Sequence, residues 1–375
     1  MTSAGVEPRA ASADDLAILQ AAGIANPARL VALIRATIDF LALDLSGLTV
    51  LTEAASGPYV VTPVIAALAG AARVIALTRD SRYATAEQVS AQTRALERLC
   101  DLPAEAVAIH NGRTPDLFAA ADIVTNLGFM RPIDAAVVAG LRPTAVVPLM
   151  CEAWEFRPGD VDTTACRARG IPVIGTNESY PGLDVFAYCG WLALKMLFDA
   201  QIEVHKSRLL VISGDQFGPV IANRLALAGA EVRLLASLRE LSAADLAADA
   251  LIVADYARQD MIIGPGGDVT AAELVAVCPG VAVIQFVGQV HVPSLAAAGM
   301  HVYPGSELGP RRMALTLAGL GPRPVIELHA AGLKVGELTA RARLVGQPAA
   351  DLADVRLRGH VLGQMVTEEG AHASL

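Results

Sequence analysis

The stretch Leu209–Leu235, LLVISGDQFGPVIANRLALAGAEVRLL, decides the fold. Its apolar run Leu209–Ile212 reads as a buried strand. After a short turn, Val220, Ile221, Ala222 and Leu225 recur at helical spacing. Gly229-Ala230 then leads into a second strand. Strand, turn, helix and strand in that order are the frame of a nucleotide-binding unit. The turn departs from the usual chemistry: with Gly218 at the third glycine of G-x-G-x-x-G, Ser213 and Asp215 occupy the first two positions. The second glycine ordinarily lets the backbone approach a pyrophosphate seated on the helix N-terminus. A carboxylate there repels it. Two like charges at about 4 Å cost about 1 kcal/mol in water and about 4 at an effective dielectric near 20. The larger figure weakens binding roughly a thousandfold. Ala236-Ser237 stand where an acidic residue would hold a ribose, although Ser237 and Arg239 suit a 2′-phosphate.

Strand–helix alternation extends from this unit towards both ends. Residues 13–44 read as helices separated by a turn near Asn26-Pro27, and they cap the first domain. From Leu48 the alternation begins with strands at LTVLTEA and ARVIALT and a helix between them. Further strands are expected at Val107–His110, Asp122–Asn126, Ala145–Leu149 and Pro172–Gly175, then at Ala250–Ala254 and Val281–Phe286. Such alternation implies parallel sheets with helices on both faces. Residues 183–200 are apolar around nearly the whole helix, which reads as a buried spine. The turn Glu53-Ala-Ala-Ser-Gly57 and the loop Arg79-Asp80-Ser81-Arg82 resemble a phosphate turn and clamp, but small turn residues and solvated arginines are the commoner explanations.

The bulk numbers fit this picture. A chain of 375 residues is long enough for two domains. Its 54% hydrophobic and 18% charged content excludes a disordered chain. A net charge of −9 argues against a nucleic-acid surface. The apolar stretch Val60–Leu77 is broken by Pro63, Gly70 and Arg73, so no membrane span is expected. The leading MTSAGVEPRAASADD lacks the pattern of a secretory signal. Cys100, Cys151, Cys166, Cys189 and Cys278 are widely spaced, as in reduced cytoplasmic thiols, and no metal site is expected.

The run GDVDTTACRARGIPVIGTN, Gly159–Asn177, resembles the G-x-D-x-x-D, helix, G-I-x-V-x-N/T segment of the D-isomer-specific 2-hydroxyacid dehydrogenases. The likeness covers about residues 145–345; the earlier part matches only in rhythm. It implies a two-domain α/β protein with three parts: an N-terminal helical segment over 1–47, a flavodoxin-like domain over 48–183 completed by 345–375, and a Rossmann-like parallel-sheet domain over 184–344. DVRLRGHVL, Asp354–Leu362, would return to the first domain, and the terminal GAHASL reads as a frayed end. The implied cofactor is NAD or NADP, held by Ser213, Gly214, Asp215, Gln216, Phe217 and Gly218 with Ser237 and Arg239.

Members of that family bind the substrate carboxylate with an arginine and move a proton with a histidine paired to a glutamate. Here Val287 of Gln285-Phe-Val-Gly288 falls at the arginine position, a serious departure, because a planar cationic fork is lost. Val325-Ile-Glu-Leu-His329-Ala-Ala-Gly332 resembles the strand that ends in the family's histidine, which makes His329 the expected acid–base residue. His301-Val-Tyr-Pro-Gly-Ser-Glu307 resembles the loop of the glutamate, which makes Glu307 its partner.

Ligands of open α/β sheets bind outside the carboxyl ends of the strands. Expected substrate contacts there are Glu152, Arg157, Asn177, Glu178, Arg258, His291 and Lys334, with Arg157 and Arg258 replacing the missing clamp. Cys151 lacks an activating motif and reads as a packed thiol. Three functions stay open: an NAD(P)-dependent oxidoreductase on a small-molecule substrate, a non-redox lyase, hydrolase or transferase of a biosynthetic pathway, and an inactive binding protein. A homodimer is compatible with the high apolar content.

Overall fold

The structure is a computed structural model describing residues 12–242, 245 and 247–367. The terminal GAHASL lies outside the described residues. The described residues form two compact units: 12–183 and 321–367 make the first, and Asp184–Leu320 make the second.

In the first unit the strands are β1 (Thr49–Glu53), β2 (Arg73–Thr78), β3 (Val107–Asn111), β4 (Ile123–Val124), β5 (Val147–Pro148) and β6 (Val173–Thr176). In the second they are β7 (Arg208–Ile212), β8 (Glu231–Leu235), β9 (Ala250–Ala254), β10 (Met261–Ile263), β11 (Ala282–Val287), β12 (Gln289–Val290) and β13 (Val302–Tyr303). The chain then returns to the first unit with β14 (Asp354–Leu357) and β15 (His360–Met365).

The first unit's parallel strands run in the order β3-β2-β1-β4, and the bridge Ile123–Val146 carries the series on to β5 and β6. The flavodoxin-like series β2-β1-β4-β5-β6 therefore has one more parallel strand, β3, at its edge. At the other edge β15 pairs antiparallel with β6, and β14 follows it. One face is packed by Leu51, Ile75, Leu77, Val124, Val147 and Val173, because alternate strand residues share a face. The second unit has five parallel strands in the order β13-β11-β9-β7-β8. Leu210, Ile212, Leu251, Val253 and Val283 lie in its core.

The expected N-terminal helices form over Ala13–Ala21 and Pro27–Leu41, capped by Ser12 and Asn26. Asp15 ties the first of them to the helix Ala86–Leu99 through Arg98. That guanidinium holds the Asp15 carboxyl down at about 2. Among the described residues no helix is long and apolar enough to cross a membrane.

Two expectations need correction. The helix within residues 183–200 spans Tyr188–Asp199 and is not buried all round: Trp191 is 47% and Phe198 61% exposed. Arg224 covers the Trp191 ring at 4.1 Å from its centroid. The larger correction is at 321–344, expected in the Rossmann-like domain. The 23-residue helix Pro322–Leu344 belongs to the first unit and packs on the helix Pro27–Leu41 and on β4, β5 and β6. Proline in the first turn suits a helix start, and no proline follows Pro324 within it. Gly336 lets it cross the sheet: a Cβ there would lie 3.0 Å from both Ile123 Cγ2 and Pro148 Cγ.

Candidate functional site

The second unit's turn has a dinucleotide frame and a different occupant. The helix Phe217–Leu227 follows β7 directly, and its N-cap Gln216 makes no side-chain cap. Asp215 supplies the acceptor instead. Its Oδ1 accepts the Phe217 N–H at 2.9 Å and the Ser213 hydroxyl at 3.0 Å. Its Oδ2 accepts the N–H groups of Tyr256 at 2.6 Å and Ala257 at 3.0 Å, both just beyond β9. Ser213 Oγ accepts the Gly218 N–H at 3.1 Å, and Asp255 Oδ2 accepts that of Gly214 at 2.9 Å. Burial raises the Asp215 pKa against the pull of these backbone donors.

Gly218 is needed for close packing. A Cβ there would lie 2.6 Å from Ser213 Cβ and 2.8 Å from Leu234 Cδ1, so the helix needs glycine to seat against β7 and β8. Ser213, Gly214, Asp215, Phe217 and Gly218 thus meet in one turn, but their donors are already satisfied. The ribose end is similarly taken. Ser237 donates to Asp268 Oδ2 at 2.7 Å, and the exposed Arg239 lies 3.3 Å from Asp268 Oδ1. A carboxylate beside them disfavours a 2′-phosphate. The residues present do not fit a dinucleotide pyrophosphate in this conformation.

The expected proton-transfer pair is rearranged. His329 sits inside the helix Pro322–Leu344, not at a strand end. Its Nδ1 lies 2.6 Å from Thr62 Oγ1, and its ring centroid is 6.0 Å from that of Tyr59. Burial lowers its pKa to about 4, so the ring is neutral near pH 7. Glu307 is exposed and belongs to the second unit, whereas His329 is buried inside the first. Val287, which the family resemblance sets against an arginine, is fully buried in β11.

Several substrate candidates serve the chain itself. Arg157 pairs with Asp160 at 2.8 Å, and Arg258 pairs with Asp268 at 2.7 Å and Asp260 at 2.9 Å. His291 caps the helix Val292–Ala297, its Nδ1 accepting the Ser294 N–H at 3.3 Å. Asn177 donates to the Val361 carbonyl at 2.7 Å and accepts the Ser179 N–H at 2.9 Å, which anchors β15 beside β6. Lys334 is buried against Glu337 at 2.8 Å and donates to the Ala42 carbonyl at 2.7 Å.

Glu152 and Glu178 do come together, at the carboxyl ends of β5 and β6. Glu152 Oε1 accepts the Glu178 N–H at 2.8 Å, and Glu155 Oε2 accepts the Glu152 N–H at 3.1 Å. Gly175 permits the approach, since a Cβ there would strike the Ala153 backbone in the turn Ala153–Glu155. Burial, then repulsion from Glu155, pushes Glu152 up to about 7. Burial, then Glu155 and Glu152, raises Glu178 well above the carboxylate range, and a hydrogen bond to Glu155 favours its protonated form. Cys151 stands beside them with Asn126 Nδ2 at 3.9 Å. Burial first, and then Glu155 and Glu178, raise its pKa, so it remains a thiol.

Asp255, Asp268 and Thr62 are the contacts that sequence reasoning missed. Each partners a residue 31 or more positions away, and no local pattern marks them.

No protein-family model matches this chain, and no curated protein matches it. Among solved structures it is similar to a dipicolinate synthase from Bacillus halodurans, at 13% identity over 76% of this chain and 96% of that one, with a TM-score of 0.48. It is similar to the pyruvate reductase of Chlamydomonas reinhardtii at 12% identity over 80% and 99%, TM-score 0.43. For an NAD-dependent formate dehydrogenase from Staphylococcus aureus in complex with NAD the figures are 11%, 74% and 96%, and 0.40.

Proposed function

We propose that this protein is a non-redox enzyme that transfers protons on a small-molecule substrate, built on a dehydrogenase-like scaffold. The observation that carries this reading is the Asp215 carboxylate, which sits on the N–H groups that a pyrophosphate would need. An internal ligand with its own charge is an expensive thing to replace with a second anion. The chemistry falls to the carboxyl ends of β5 and β6. Glu178 holds a proton well above the usual carboxylate range and can donate it, while Glu152, at about 7, is matched to accept one at neutral pH. Proton removal and return by two carboxyl groups with separated pKa values suits lyase or isomerase chemistry.

Calorimetric titration of the full chain with NAD, NADH, NADP and NADPH tests this, with Asp215→Gly alongside. The expected result is no binding by the natural chain and measurable binding by the variant. Binding by the natural chain would favour the second reading, an NAD(P)-dependent oxidoreductase. The close packing around Gly218 supports that alternative, because it preserves the helix-to-strand seat of a dinucleotide turn.

A further inference from the structure

The strand order of the first unit reverses between β1 and β4, and the crevice beyond their carboxyl ends is where open sheets take ligands. Glu53 closes β1 at this point and is only 6% exposed. Its Oε2 accepts the Phe129 N–H at 2.9 Å. Among the described residues no hydrogen bond reaches Oε1 and no ion pair reaches the carboxylate. The Gly128 backbone is drawn close, since a Cβ there would lie 3.0 Å from Oε2.

Phe129 also supports a cation. Arg79 follows the last residue of β2, and its guanidinium lies 5.2 Å from the Phe129 ring centroid. Arg79 is exposed and pairs with no carboxylate among the described residues. Beside it, the buried Thr78 hydroxyl has no hydrogen-bond partner among the described residues. One residue therefore holds both a buried carboxylate with an unused oxygen and a guanidinium with unused N–H groups. A carboxylate removed from water without a cation is costly, and burial raises the Glu53 pKa accordingly. The nearby Arg131 is spent on Asp160 at 2.7 Å. Among the described residues, Glu53 has no positive partner and Arg79 no negative one, and Phe129 touches both.

We propose that the switch point of the first unit binds a small zwitterion, an amine joined to a carboxylate, with its ammonium on Glu53 Oε1 and its carboxylate on Arg79. The planar fork of arginine suits a carboxylate, and Glu53 separates an amino acid from the matching hydroxy acid. This goes beyond the acid–base reading and does not depend on it.

The test is thermal shift and calorimetry of the full chain against the standard amino acids, β-alanine, γ-aminobutyrate, the matching hydroxy acids and inorganic phosphate. At least one zwitterion should bind, and its hydroxy acid should bind more weakly. Glu53→Gln, which keeps an acceptor for Phe129, should weaken the zwitterion at least about tenfold and leave the hydroxy acid unchanged. Arg79→Met, at an exposed position that folding tolerates, should weaken both. The idea is overturned if no zwitterion binds the natural chain, if binding survives either substitution, or if phosphate and hydroxy acids bind as tightly as zwitterions. Dinucleotide titration of the Asp215 turn is a separate measurement, so the two proposals can fail independently.

Discussion

The main sheet of each unit places an acidic residue at the point where strand order reverses, and the two residues are used differently. Asp215 spends both oxygens on its own chain, through Ser213, Phe217, Tyr256 and Ala257. Glu53 spends one oxygen on Phe129 and leaves the other over. The first arrangement satisfies a helix start and two strand ends at once, so it behaves as a bound anion that never leaves. The second leaves one acceptor without a hydrogen bond among the described residues. A carboxylate at a strand end is therefore no sign of a ligand until its oxygens have been accounted for.

The largest effect expected tests whether the two regions are energetically separate. Lys334→Met leaves the buried Glu337 with the Asp44 N–H and the more distant Arg341, at 3.6 Å, and should cost the first unit about 3 kcal/mol. Unfolding followed by hydrogen exchange should show β1–β6 opening earlier while β7–β13 keep their protection. Loss of protection in both would mean that the units are coupled, and the comparison would need redrawing.

Next is the dependence on pH at the carboxyl ends of β5 and β6. The folded protein holds the Glu152 proton more tightly than the unfolded chain does, with a pKa of about 7 against the ordinary 4.5. The Glu152 contribution is thus fully present below pH 4.5 and is lost as pH rises through 7, by at most about 3 kcal/mol. Denaturant midpoints measured across this window should fall less steeply for Glu152→Gln than for the natural chain. Equal slopes would remove Glu152 from its assigned role.

Truncating the two switch-point carboxylates gives smaller effects in a fixed order. Asp215→Ala orphans several donors and should cost about 2 kcal/mol, whereas Glu53→Ala orphans one and should cost about 1. Equilibrium unfolding of both variants checks the ranking. A reversed ranking would mean that Glu53, not Asp215, is the better satisfied of the two.

Much of the fold could be read in the sequence, because strand and helix periodicities are local. The runs Leu209–Ile212 and Ala250–Ala254 became β7 and β9 within a residue. The Val325–His329 segment resembles a family strand end, yet its local pattern is that of the helix it forms. Pro322 opens the segment, and a long proline-free run follows Pro324. Parts of the site could also have been read: the i,i+3 pair Arg157–Asp160 and the Asn177–Ser179 turn are local patterns. The Oδ2 partners of Asp215 could not, since Tyr256 and Ala257 lie 41 and 42 residues along the chain. The raised pKa of Glu178 likewise arises from burial and from carboxylates on a neighbouring strand end.

The return of the chain at Gly321 has a consequence for biosynthesis. The second unit, Asp184–Leu320, is continuous, whereas the first lacks its central helix until Pro322–Leu344 has been made. At about 5–20 residues per second, the sheet from β1 to β6 waits on the order of ten seconds with the surface that will receive Gly332 and Gly336 uncovered. The inner unit can close on the ribosome while the outer one is still open, so the segment made first is among the last to be finished. Chaperones that shield apolar surface would meet this protein at β4–β6.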